Sequence, residues 1–102
     1  MTFNELSNFT KQVLRLLDDE SYGELQIALF QRPDLGKVIK GSGGLRKVRW
    51  AAKGHGKSGG VRVIYYWWVA GSLITFCDIY PKNEKEDLTT HEIKKLREQL
   101  EG

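Results

Sequence analysis

Two strand-forming runs only three residues apart constrain this chain more than any other feature. Val61–Val69 (VRVIYYWWV) is β-branched and aromatic except for one arginine, and Leu73–Tyr80 (LITFCDIY) is of the same kind. Ala70-Gly71-Ser72 between them is short enough for a hairpin, so the two runs are expected to pair antiparallel. A third run, Leu45–Ala51 (LRKVRWA), precedes them across the loop Lys53–Gly60 (KGHGKSGG). The first third of the chain has a different period. Phe9, Val13, Leu16 and Leu17 fall at helical spacing behind Ser7, a favourable N-cap residue. Asp18, Asp19 and Glu20 supply a cap and negative charge for a second helix with the stripe Tyr22, Leu25, Ala28 and Leu29. Pro33 ends that helix, and Asp34-Leu35-Gly36 turns the chain. Beyond Pro81, Thr89-Thr90-His91-Glu92 reads as a capping box, with Ile93, Leu96 and Leu100 on one face behind it. This order predicts an α+β fold: a small antiparallel sheet, an N-terminal helical hairpin and a C-terminal helix. At 102 residues one domain, 1–102, is expected. Its core is thin, so a functional site must lie near the surface.

No apolar run approaches the ~20 residues of a membrane span. Met1–Thr10 lacks the basic-then-apolar pattern of a signal peptide, so a cytoplasmic protein without membrane contact is expected. The lone Cys77 lies in an apolar stretch and is expected to be a buried thiol, with no intramolecular disulfide and no cysteine-rich zinc site. The net charge of +3 is modest, but its distribution is not. From Lys37 to Cys77 there is no Asp or Glu, while Lys37, Lys40, Arg46, Lys47, Arg49, Lys53, Lys57, Arg62 and His55 all lie there. All 13 acidic residues are in the two ends. A polyanion is drawn to such a middle and repelled by such flanks, which points to the phosphate backbone of RNA.

Alternation along the third run sends Lys47 and Arg49 one way and Val48 and Trp50 the other. Antiparallel pairing through the glycine loop can bring Arg62 to the Lys47–Arg49 face. Three cations on a rigid sheet then form a phosphate clamp, in which the arginine fork grips two oxygens at once. A charge between Val61 and Val63 is tolerated where it faces solvent or a ligand. The loop KGHGKSGG lacks GxxxxGK[ST] spacing and joins two strands, so it reads as a flexible basic loop rather than a nucleotide-binding one. His55 is the one histidine in the basic window, and an imidazole is a side chain suited to moving a proton. Without paired histidines or carboxylates beside the cations, no metal and no cofactor are expected. Half of Tyr65-Tyr66-Trp67-Trp68 belongs to the core by alternation, and the other half is available to stack on bases or bury against a helix.

The stretch GSGGLRKVRWAAKGHGKSGGVRVIYYW, followed by IYPKNEKEDLT, resembles the HigB branch of the RelE/ParE toxin superfamily over roughly Arg32–Thr90. That resemblance implies a ribosome-dependent messenger-RNA endonuclease, with a small sheet flanked by helices. The implied partners are messenger RNA on the ribosome, ribosomal RNA and a cognate antitoxin that covers the basic surface, with oligomerisation through the antitoxin complex. By motif, Lys47, Arg49 and Arg62 fall on the family's basic strand positions, and Lys82 follows the last strand. Arg46, Lys53, His55, Lys57, Asn83 and Lys85 are the expected RNA or ribosome contacts. Asn83 stands where some members have arginine, and Thr89 stands near the family's tyrosine position. Cleavage by the RNA's own 2′-hydroxyl needs charge stabilisation on the phosphate, implied for Arg62 with Lys47 or Arg49. It also needs proton transfer, implied for Lys47, Lys82 or His55. Two other readings remain open: a ParE-like topoisomerase (gyrase) inhibitor without nuclease activity, and a non-catalytic RNA-binding module.

Overall fold

The computed structural model describes residues 1–51 and 60–102. In chain order the elements are β1 (Thr2–Glu5), α1 (Ser7–Leu16), α2 (Asp19–Gln31), β2 (Lys37–Val38), β3 (Arg46–Trp50), β4 (Val61–Trp68), β5 (Leu73–Pro81) and α3 (Thr90–Glu101). The strands form one sheet in the order β1-β5-β4-β3-β2. The hairpin β4–β5 and the pair β3–β4 are antiparallel, as their sequences require. The sheet is not wholly antiparallel, however. β1 lies parallel to β5, and the two-residue β2 pairs with Lys47 and Arg46 at the other edge. Neither edge strand is long enough to show a period of its own. β1 is held by the hairpin it joins, with Phe3 stacked on Phe76 at 5.8 Å between ring centroids.

Helices cover both faces. On one, Phe9, Val13 and Leu17 with Leu25 and Leu29 of α2 pack against Val48, Val63, Tyr65, Phe76 and Ile79. Each fully buried side chain of this size contributes roughly 1.5–3 kcal/mol. On the other, Ile64, Cys77 and Tyr80 pack against Leu88 and Leu96 of the C-terminal segment. The helix starts follow local chemistry. Asp18 caps α2 by accepting the Ser21 N–H at 2.7 Å. Thr89 and Glu92 close a reciprocal capping box at α3. Ser7 does not cap α1; it is the first helical residue, behind Leu6.

One irregularity decides what faces what. Ile64 is opposite Asp78, yet the next residue, Tyr65, is opposite Phe76, so β5 carries Cys77 as an extra residue. Strict alternation would put Tyr80 on the same face as Phe76. The bulge turns it to the α3 face instead.

Candidate active site

Register builds the site. Across β3, β4 and β5, Arg49 is opposite Arg62 and Arg62 is opposite Tyr80. Lys47 lies two residues before Arg49 and opposite Ile64, so Lys47, Arg49 and Arg62 share one face. Because β2 pairs only with Arg46 and Lys47, the edge of β3 beyond them is open. A cavity of about 620 Å³ occupies that edge, lined by Lys37, Lys47, Arg49, Trp50 and Arg62 among others. Gly36 sits against the Tyr65 ring and donates its N–H to the Tyr65 hydroxyl at 2.8 Å. A Cβ at this position would lie 2.8 Å from that ring, so only glycine brings the Leu35–Lys37 wall this close.

Of the two surroundings expected for a charge on this strand, solvent or a ligand, Arg62 does not face solvent. Its side chain is 2% exposed. The segment between β5 and α3 reaches it through Glu86 and is anchored by Leu88 in the core of the α3 face. Nη2 of Arg62 donates to Oε1 of Glu86 at 3.0 Å. Nε and Nη1 are buried and meet no acceptor among the described residues, and the hydroxyl of Tyr80 is buried without a partner as well. Burial pushes the Tyr80 phenol up to about 12, against the opposing pull of Arg62. Lys47 donates to Asp87, and that hydrogen bond holds the Asp87 carboxyl below the usual range. The acidic flank, expected to repel a polyanion, is therefore folded back onto the basic middle. Opposite charges a few ångströms apart attract more strongly at a half-buried surface than in bulk water.

The other expected contacts separate. Lys82 borders a second cavity of about 340 Å³ together with Arg49 and Trp50, and its N–H donates to the carbonyl of Gly60 at 3.0 Å. Asn83 is exposed in the turn after β5. Lys85 lies 4.8 Å over the Tyr80 ring and pairs with Glu92, holding that carboxyl below the usual range. Arg46 is on the opposite face, donating to the carbonyl of Gly36 at 2.7 Å, with its guanidinium 5.9 Å from the Trp67 ring centroid. Lys53, His55 and Lys57 lie outside the described residues. Tyr80, Glu86 and Asp87 were not legible as site residues. The bulge hides the first, and the other two reach the site only through the return of the chain after Pro81.

Chemically, the face offers guanidinium and ammonium donors around an open cavity, groups able to bind a phosphodiester and to stabilise charge gathering on it. Among the described residues, no helix is long and apolar enough to cross a membrane. Among solved structures, the chain is similar to the Escherichia coli toxin RelE, determined in the free state with two arginines changed to alanine. The two share 11% identity at a TM-score of 0.63, covering 97% of this chain and 96% of that one. At such low identity the likeness speaks for the fold alone: three helices around a mixed five-stranded sheet. Residues 34–101, which run from the turn before β2 to the end of α3, match the family model for the RelE toxin of the RelE/RelB toxin–antitoxin system. A match over two thirds of the chain, including every strand of the basic row, places it: the protein belongs to the RelE family of toxins from toxin–antitoxin systems.

Proposed function

We propose that this toxin, of the HigB branch, cuts messenger RNA on the ribosome by directing a 2′-hydroxyl against the adjacent phosphate. The observation that carries this reading is the convergence of Arg62, Arg49 and Lys47 on one sheet face beside an open cavity. A topoisomerase inhibitor has no need of such a phosphate-binding row. Arg62 stabilises the charge that gathers on the phosphate, and Arg49 or Lys47 shares that task. Lys47, Lys82 or His55 transfers the protons. A cognate antitoxin silences the protein by covering the basic face, and the pair assembles into the larger complex in the cytoplasm.

The test is cleavage of a defined message on programmed ribosomes by the purified protein, with the new ends mapped. The 5′ fragment is expected to end in a 2′,3′-cyclic or 3′-phosphate. Arg62→Lys keeps the charge but loses the planar fork, and is expected to slow cleavage by roughly 10²–10³. Intact message in the presence of folded, ribosome-bound protein overturns the nuclease reading. Expression without antitoxin is expected to arrest growth.

A further inference from the structure

We propose that Arg62 and Tyr80 together form a buried oxyanion site which the Glu86 carboxylate closes in the free protein, and that an RNA phosphate enters by displacing Glu86. This makes Tyr80 a substrate-contacting residue and rests on the reading of the face as an RNA-cutting site.

The starting point is polar atoms without partners. Native proteins leave few buried donors or acceptors unmatched. Here Nε and Nη1 of Arg62 and Oη of Tyr80 are all buried and unmatched among the described residues. They belong to one cross-strand pair, since Arg62 on β4 is directly opposite Tyr80 on β5. Two guanidinium N–H groups and one phenol O–H are donors, and a tetrahedral oxyanion supplies the acceptors they lack. Burial pushes the Tyr80 phenol up to about 12, so at neutral pH its hydroxyl keeps the proton and is able to donate.

Glu86 has the character of a placeholder. Among the described residues its carboxylate accepts the one side-chain hydrogen bond of the Arg62 guanidinium, at 3.0 Å, while the glutamate side chain remains 74% exposed. An exposed carboxylate returns to water at little cost, and a phosphate oxygen makes the same charge-assisted bond. The segment that carries Glu86 does not depend on it. Leu88 is packed in the core and Thr89 caps α3. Glu86 can therefore leave Arg62 while the fold stays as it is.

The test uses the full chain with inorganic phosphate as the probe, read by the Nε–H signal of Arg62 in a nitrogen-15 spectrum. Arg62→Lys identifies that signal. Glu86→Gln is expected to bind phosphate about tenfold more tightly than the parent, because the competing charge is gone. Adding Tyr80→Phe to Glu86→Gln is expected to remove about tenfold, the size of one charge-assisted hydrogen bond. Tyr80→Phe removes a hydroxyl that has no partner among the described residues, so its thermal midpoint is expected not to fall, which separates ligand contact from a structural role. An Arg62 signal that ignores phosphate, or equal affinity in the parent and both variants, overturns the inference. Phosphate binding as stated with no cleavage of ribosome-bound message supports the site and counts against the nuclease reading alone. Normal cleavage by folded Tyr80→Phe overturns the inference and leaves the nuclease reading standing.

Discussion

Arg62 is held by one ion pair to an exposed carboxylate, while two of its three nitrogens find no acceptor among the described residues. A guanidinium in that state weakens a fold rather than strengthening it, because its desolvation is only partly offset. Arg62→Met keeps the volume of the stem and removes the charge, and Glu86 left behind is already in water. We expect this variant to be more stable by about 1–3 kcal/mol and inactive, a trade of stability for function. Denaturant unfolding beside the cleavage assay checks both halves, and a large loss of stability would make Arg62 a structural residue. Cys77 shows the opposite situation, a neutral group fully buried in the core of the α3 face. Burial raises its thiol from 9.0 to about 12. Below about pH 9 both folded and unfolded chains keep this proton, and the contribution of the buried thiol is fully present. Above that the unfolded chain ionises first, so stability falls as pH rises toward 12. Tyr80 acts in the same direction, from 10.0 to about 12. The denaturation midpoint is expected to be level from pH 7 to 8.5 and to drop by pH 10.5, with a shallower drop in Cys77→Ala.

At the scale of the element, the segment from Pro81 to α3 matters most, because it brings two carboxylates onto a basic sheet face. Its far end is pinned by Leu88 and by the capping box, in which Thr89 accepts the Glu92 N–H at 3.1 Å and Glu92 accepts the Thr89 N–H at 2.8 Å. Thr89→Ala removes one of these bonds and is expected to cost about 1 kcal/mol, measured by thermal or chemical unfolding. No change would mean that α3 is held by packing alone. The Thr89 position also shows how a resemblance and a physical role divide. The family's tyrosine is expected near this residue, and here the residue starts a helix. The capping box was legible because its four residues are contiguous. The Cys77 bulge was not, since nothing in LITFCDIY marks which residue the neighbouring strand will skip.

At the scale of the molecule, charge that is segregated along the chain is brought back together in space. Glu86 pairs with Arg62 and Asp87 pairs with Lys47. The double variant Glu86→Gln, Asp87→Asn loses two negative charges relative to the parent, and is expected to bind single-stranded RNA more tightly at low salt. Its affinity should fall steeply with added salt, by about 0.7 in the logarithmic slope for each phosphate contact. Titrations at several ionic strengths check this. Affinity independent of salt would remove the phosphate backbone as the ligand.

Local order in the chain was enough to determine much of this protein. The hairpin β4–β5, the helical hairpin, the α3 cap and the alternation that puts Lys47 and Arg49 on one face are set by periods, caps and turn lengths within a few residues of each other. Those are short-range preferences, and they do not wait for the rest of the fold. Three things were decided only by tertiary structure. β1 and β2 exist because neighbouring strands offer them hydrogen bonds. Tyr80 joins Arg62 because one strand bulges against another. Arg62 meets Glu86 because an acidic segment distant in sequence returns to the sheet, and no local pattern encodes which carboxylate a cation will meet there.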